Sequence, residues 1–138
     1  MDPVVKNIVA ECTQASDAER VTFGEVVTTL MRAGVERYHA DLVRGGKTYY
    51  LPNGESAMVT SQPAAIAPAE AFSAAGVEAA IRAIQSGEIQ YGEFCRRIAA
   101  AGCAGYLVSI VGQRAVYYGR SGDLHTEWFP GARRAEAA

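Results

Sequence analysis

The stretch TFGEVVTTLMRAG, Thr22 to Gly34, returns as QYGEFCRRIAAAG, Gln90 to Gly102. The offset is 90 − 22 = 68 positions. At that offset Gly24, Glu25, Ala33 and Gly34 fall on Gly92, Glu93, Ala101 and Gly102. The match runs on without a gap, with Tyr38 on Tyr106, Val43 on Val111, Tyr49-Tyr50 on Tyr117-Tyr118 and Gly54 on Gly122. Glycine and tyrosine carry most of it, at helix stops, strands and turns, where backbone geometry restricts the choice of residue. A gap-free match of this length points to an internal duplication.

Each copy also makes local sense. Asp2-Pro3 has the form of an N-cap followed by proline at the first helical position. Val4, Val5, Ile8, Val9 and Cys12 then recur at helical spacing. Thr22 and Glu25 form a capping-box pattern, with Val21 and Val26 at the staple positions around it. Ile89 and Phe94 hold those positions in the second copy, although Gln90 is a poorer cap than Thr22. Ser73 is placed to cap a helix carrying Val77, Ala80, Ile81 and Ile84, and Gly34, Gly87 and Gly102 to end helices.

Three strands are expected after each helix pair. The first set is Glu36–Val43, Lys47–Leu51 and Glu55–Thr60; the second is Gly105–Val111, Ala115–Gly119 and Leu124–Phe129. Arg44-Gly45-Gly46, Asn53-Gly54, Gly112-Gln113 and Ser121-Gly122 read as the hairpin turns. The expected fold is therefore α+β: a helix-helix-strand-strand-strand unit written twice, with one antiparallel sheet and helices on one face. The chain reads as a single domain, with a first repeat over 1–60, a connection over 61–72, a second repeat over 73–131 and a tail over 132–138.

Composition narrows the class. The 138 residues are 49% hydrophobic and 20% charged, which is ordinary globular composition. A net charge of −2 leaves no basic footprint for nucleic acid. Three cysteines, Cys12, Cys95 and Cys103, without CxxC spacing argue against a disulfide framework or a cysteine zinc site, and for buried thiols in a reducing, cytoplasmic setting. No apolar run is long enough for a membrane span, and Lys6, Asn7 and Glu11 interrupt any signal-like start.

The stretches GVERYHADL (34–42), KTYYLPNGE (47–55) and GYLVSIVGQRAVYYGRSGDLHTEWFP (105–130) resemble a bacterial family of unknown function, DUF1398. The resemblance runs from about Val21 to Gly131. It implies a small α+β protein without an assigned activity. Members often carry the label "phage envelope protein", which implies a phage or mobile-element origin but fits poorly with a chain lacking a membrane segment.

Few motifs carry chemistry. SGEIQYGEF (86–94) imitates the back half of a calcium loop, but Arg82, Ile84 and Ser86 stand where its leading oxygen ligands belong. No cofactor and no metal is therefore expected from motifs. The strands offer more. Tyr38, Ala40 and Leu42 are expected to meet the helices, leaving Arg37, His39 and Asp41 on the opposite face. His125 and Glu127 repeat the His-x-carboxylate pattern on the last strand, and the expectation is that they share that polar face. Such a group could bind a ligand or divalent ion, or supply a general base.

Three functions follow. One is a non-enzymatic accessory or interaction domain. Another is a small-molecule binder using the sheet face or the cleft between copies. The last is a metal-dependent enzyme, which demands that His39, Asp41, His125 and Glu127 converge. The motifs leave enzymatic activity open, and leave open a homodimer.

Overall fold

The computed structural model describes residues 1–61 and 66–132. Most of the C-terminal tail and part of the expected connection lie outside the described residues.

The helices start and stop on side-chain chemistry. Helix α1 spans Pro3–Asp17, with the Asp2 side chain accepting from the Val4 amide at 2.7 Å. Helix α2 spans Phe23–Arg32 behind a complete capping box between Thr22 and Glu25. It ends at Gly34, where φ is +84° and the Val35 amide reaches back to the Leu30 carbonyl. A left-handed residue is what this closure requires. Helix α3 spans Ala74–Gln85, capped by Ser73.

Helix α4, Tyr91–Ala100, has no side-chain cap from Gln90. The missing partner comes from the other half of the chain: the Glu19 carboxylate accepts from the Gly92 amide at 3.1 Å. Glu19 sits between α1 and α2 with φ of +61°.

Six strands follow the expected order. They are β1 (Arg37–Asp41), β2 (Gly46–Tyr50), β3 (Ser56–Thr60), β4 (Cys103–Ser109), β5 (Arg114–Gly119) and β6 (Leu124–Trp128). They form one antiparallel sheet in the order β3-β2-β1-β4-β5-β6. Among the described residues the fold is thus α+β, four helices on a six-stranded sheet.

At the centre, β1 pairs with β4 through Arg37↔Ser109, Tyr38↔Val108, His39↔Leu107, Ala40↔Tyr106 and Asp41↔Gly105. Residue numbers in every pair sum to 146, and 39 and 107 differ by 68, the offset at which the sequence aligns with itself. His39↔Leu107 is therefore the midpoint about which the two halves of the sheet are arranged.

Helices cover one face. Tyr38, Ala40, Tyr49, Tyr106, Val108, Ala115 and Tyr117 pack there against Val9, Leu30, Val77, Ile81, Phe94 and Ile98. Two tyrosine pairs anchor this core with matching geometry. Tyr38 and Tyr49 lie 5.2 Å apart at 34°, and Tyr106 and Tyr117 lie 5.3 Å apart at 37°. Their phenols need partners in an apolar setting. Tyr49 has Thr13 at 2.7 Å, and Tyr106 has Tyr91 at 2.8 Å.

Candidate functional site

Cross-strand partners project to the same side of a sheet. That rule sorts the polar side chains of the strands. His39 pairs across the sheet with Thr48 and Leu107, all on the helix-free face. His125 pairs with Tyr117, and Glu127 with Ala115, both core residues. His125 and Glu127 therefore lie on the helix side, which corrects the expectation that they share a face with Arg37, His39 and Asp41. Two strands, β4 and β5, also separate His39 from His125, a span of about 14 Å at ordinary strand spacing. The five residues do not make one site.

On the helix-free face, His39 Nε2 lies 2.7 Å from the Tyr118 hydroxyl, with the two rings stacked. Burial, and then the Asp41 carboxylate, push the Tyr118 phenol above its ordinary range. Asp41 itself turns toward the backbone, accepting from the Val43 and Arg44 amides at 3.0 Å. It organises the β1–β2 turn. Arg37 pairs with Glu36 and lies 4.3 Å over the Tyr50 ring. Arg114 lies 4.7 Å over the Trp128 ring. Met58, Leu107, Val116 and Leu124 share this face, and Met58 and Leu124 are well exposed.

On the helix side, the Glu127 carboxylate is held by Arg82 of α3 at 3.0 and 3.1 Å. His125 Nε2 is buried, 3.9 Å from Glu127 and without a hydrogen-bond partner among the described residues. This pair reads as a tie between β6 and α3. Among the described residues no three of His, Cys, Asp and Glu are grouped to hold a metal ion.

The strand pattern conceals another group. Lys47 shares parity with Tyr49 on β2 and is only 4% exposed. Its Nζ lies 4.4 Å above the Tyr91 ring. Burial lowers its pKa, opposed by Asp17, Cys95 and Cys12 in that order. The signal was present in the sequence, since a lysine two residues before a core tyrosine on one strand must point inward. Burial likewise raises the thiols, Cys12 in direction and Cys95 and Cys103 to about 11.

No helix among the described residues is long and apolar enough to cross a membrane. No curated protein matches the chain. Residues 13–127 match the family described as "Protein of unknown function (DUF1398)", which spans the sheet, all but the last residue of β6, and most of the helical layer, and the chain belongs to that family.

Proposed function

We propose that this protein is a non-enzymatic interaction domain whose working surface is the helix-free face of its sheet. The observation that carries the reading is the content of that face. Apolar Met58, Leu107, Val116 and Leu124 lie beside aromatic Tyr50, Tyr118 and Trp128. Arg37 and Arg114 lie over two of those rings. A solvated sheet face usually carries mostly polar side chains, whereas aromatic residues with arginine are characteristic of binding surfaces. The cations favour a polypeptide partner that offers apolar side chains flanked by carboxylates. Arg37 and His39 remain contact residues in this reading, with Asp41 shaping the adjoining turn. An accessory role in a phage or other mobile element would suit such a domain equally with a cellular complex.

The test is site-specific photocrosslinking in cells that produce the protein. A crosslinker at position 107 should trap one defined partner, and the same group at Met31 on α2 should not. Val116→Glu, added in the same background, should abolish the crosslink while leaving melting unchanged. Equal trapping from both positions, or trapping indifferent to Val116→Glu, would refute the assignment.

A further inference from the structure

Only two of the 13 basic side chains are lysines, Lys6 and Lys47, so 13 − 2 = 11 are arginines. Lys6 is exposed and Lys47 is buried. The chain thus places at its buried cationic position the one basic side chain that can lose its proton near neutral pH. Among the described residues Lys47 makes no ion pair, and its ammonium rests on the Tyr91 ring face instead. A buried ammonium without a directly paired carboxylate is costly unless something compensates it.

The surroundings are specific to this half of the molecule. Lys47 lines a cavity of about 10 Å³ together with Ser61, Tyr91, Cys95 and the Gly45-Gly46 backbone. Space of that order holds one water-sized molecule. At the repeat offset, the positions of Lys47, Tyr91 and Ser61 are Ala115, Phe23 and Phe129. There the two phenylalanines pack edge to face at 5.5 Å. One half of the fold fills this place with rings; the other keeps an amine, a hydroxyl and a cavity.

We infer that Lys47 Nζ is a nucleophilic amine that captures a neutral aldehyde of formaldehyde's size in this cavity as a protonated imine. An anionic ligand is disfavoured, because the Asp17 carboxylate acts on the amine from α1. Capture balances as R–NH₃⁺ + O=CHR′ → R–NH⁺=CHR′ + H₂O. The N–C bond forms, the carbonyl C–O bond breaks, and two amine protons leave with the oxygen as water. The charge at nitrogen is unchanged, so the Tyr91 ring face and the Asp17 carboxylate that suit the ammonium suit the iminium also. Desolvation of the amine supplies the free base that attacks.

The test treats the whole folded protein with formaldehyde and cyanoborohydride, which reduces the imine to a stable methylamine. Peptide mapping then compares Lys47 with Lys6 in the same molecule, across pH 6 to 9. Each unit by which an amine's pKa is lowered gives about tenfold more free base at neutral pH. Lys47 should label faster than Lys6 at pH 7, with its rate levelling at a lower pH. In urea the two should label alike. Native Lys47 that stays unlabelled while Lys6 reacts would overturn the inference and leave Lys47 as a structural cation. So would Lys47 labelling with the pH profile of Lys6.

Discussion

The Tyr118 hydroxyl reaches His39 Nε2, at 2.7 Å, by crossing the chain at Gly105. A β-carbon at Gly105 would stand 2.4 Å from that hydroxyl and 2.6 Å from the Ala40 carbonyl. Neither contact can be kept. Gly105→Ala should therefore destabilise by about 1–3 kcal/mol, the usual cost of forcing atoms into filled space. Tyr118→Phe removes only the hydrogen bond and should cost about 1 kcal/mol. Urea unfolding of both variants checks the order; a neutral Gly105→Ala would contradict the packing.

Gly34 and Gly102 hold equivalent places at the ends of α2 and α4, but their surroundings differ. Both have positive φ, +84° and +90°. Nothing lies within 4 Å of a β-carbon on Gly34, whereas one on Gly102 would meet the Ala71 carbonyl oxygen at 2.2 Å. Gly34→Ala should cost about 1 kcal/mol from backbone strain alone. Gly102→Ala should cost that plus a displacement of the incoming connection, about 2–4 kcal/mol in all. Equal losses on thermal melting would contradict the difference in contact.

Alkaline pH should unfold the protein through its buried acids. Burial raises the phenols of Tyr38, Tyr49, Tyr91, Tyr106 and Tyr117 above the ordinary 10.0, and the Cys95 and Cys103 thiols from 9.0 to about 11. In the window above the unfolded values the unfolded chain releases protons that the folded chain retains. Stability should then fall as pH rises from about 9, steeply above 10. Native thiols should also resist Ellman's reagent at pH 8 and react at once in guanidinium. Flat stability between pH 8 and 11 would be inconsistent with these buried groups.

Lys47 contributes with the opposite slope. Its folded pKa is lowered, so the unfolded chain binds its proton more tightly. The penalty is complete below the folded pKa and disappears as pH rises to the unfolded 10.5. Lys47→Met should therefore stabilise the protein at neutral pH by about 1 kcal/mol or more, in line with apolar replacement of buried charges. The gain should shrink toward pH 10.5. Denaturant midpoints at pH 7 and pH 10 check both the sign and the trend.

Helix ends and strand order were legible because each rests on local chemistry. Thr22 and Glu25 name their helix start, and Gly34 and Gly102 their stops. The start of α4 was legible from Ile89, Gln90 and Phe94, but its capping partner was not, because Glu19 arrives from 73 residues away. The β6 face was misjudged by giving polar residues to solvent. The β5–β6 register decides otherwise: Leu124 opposes Tyr118, so His125 must oppose core residue Tyr117. The 68-residue sequence offset pointed the same way, since it sets His125 and Glu127 on Ala57 and Val59, which pack against the core. Lys47 was passed over for a related reason. Its charge suggests the surface, while its parity with Tyr49 places it inside.

That the helix-free face is the binding surface can be tested most directly by oxidative footprinting of the complex captured through position 107. Met31 on α2 is 57% exposed and Met58 on β3 is 48% exposed, so the free protein carries one comparable reporter on each side. In the complex Met58 and Trp128 should be shielded from oxidation, with Met31 as reactive as before. Shielding of Met31 with Met58 and Trp128 unchanged would place the partner on the helices and contradict the account.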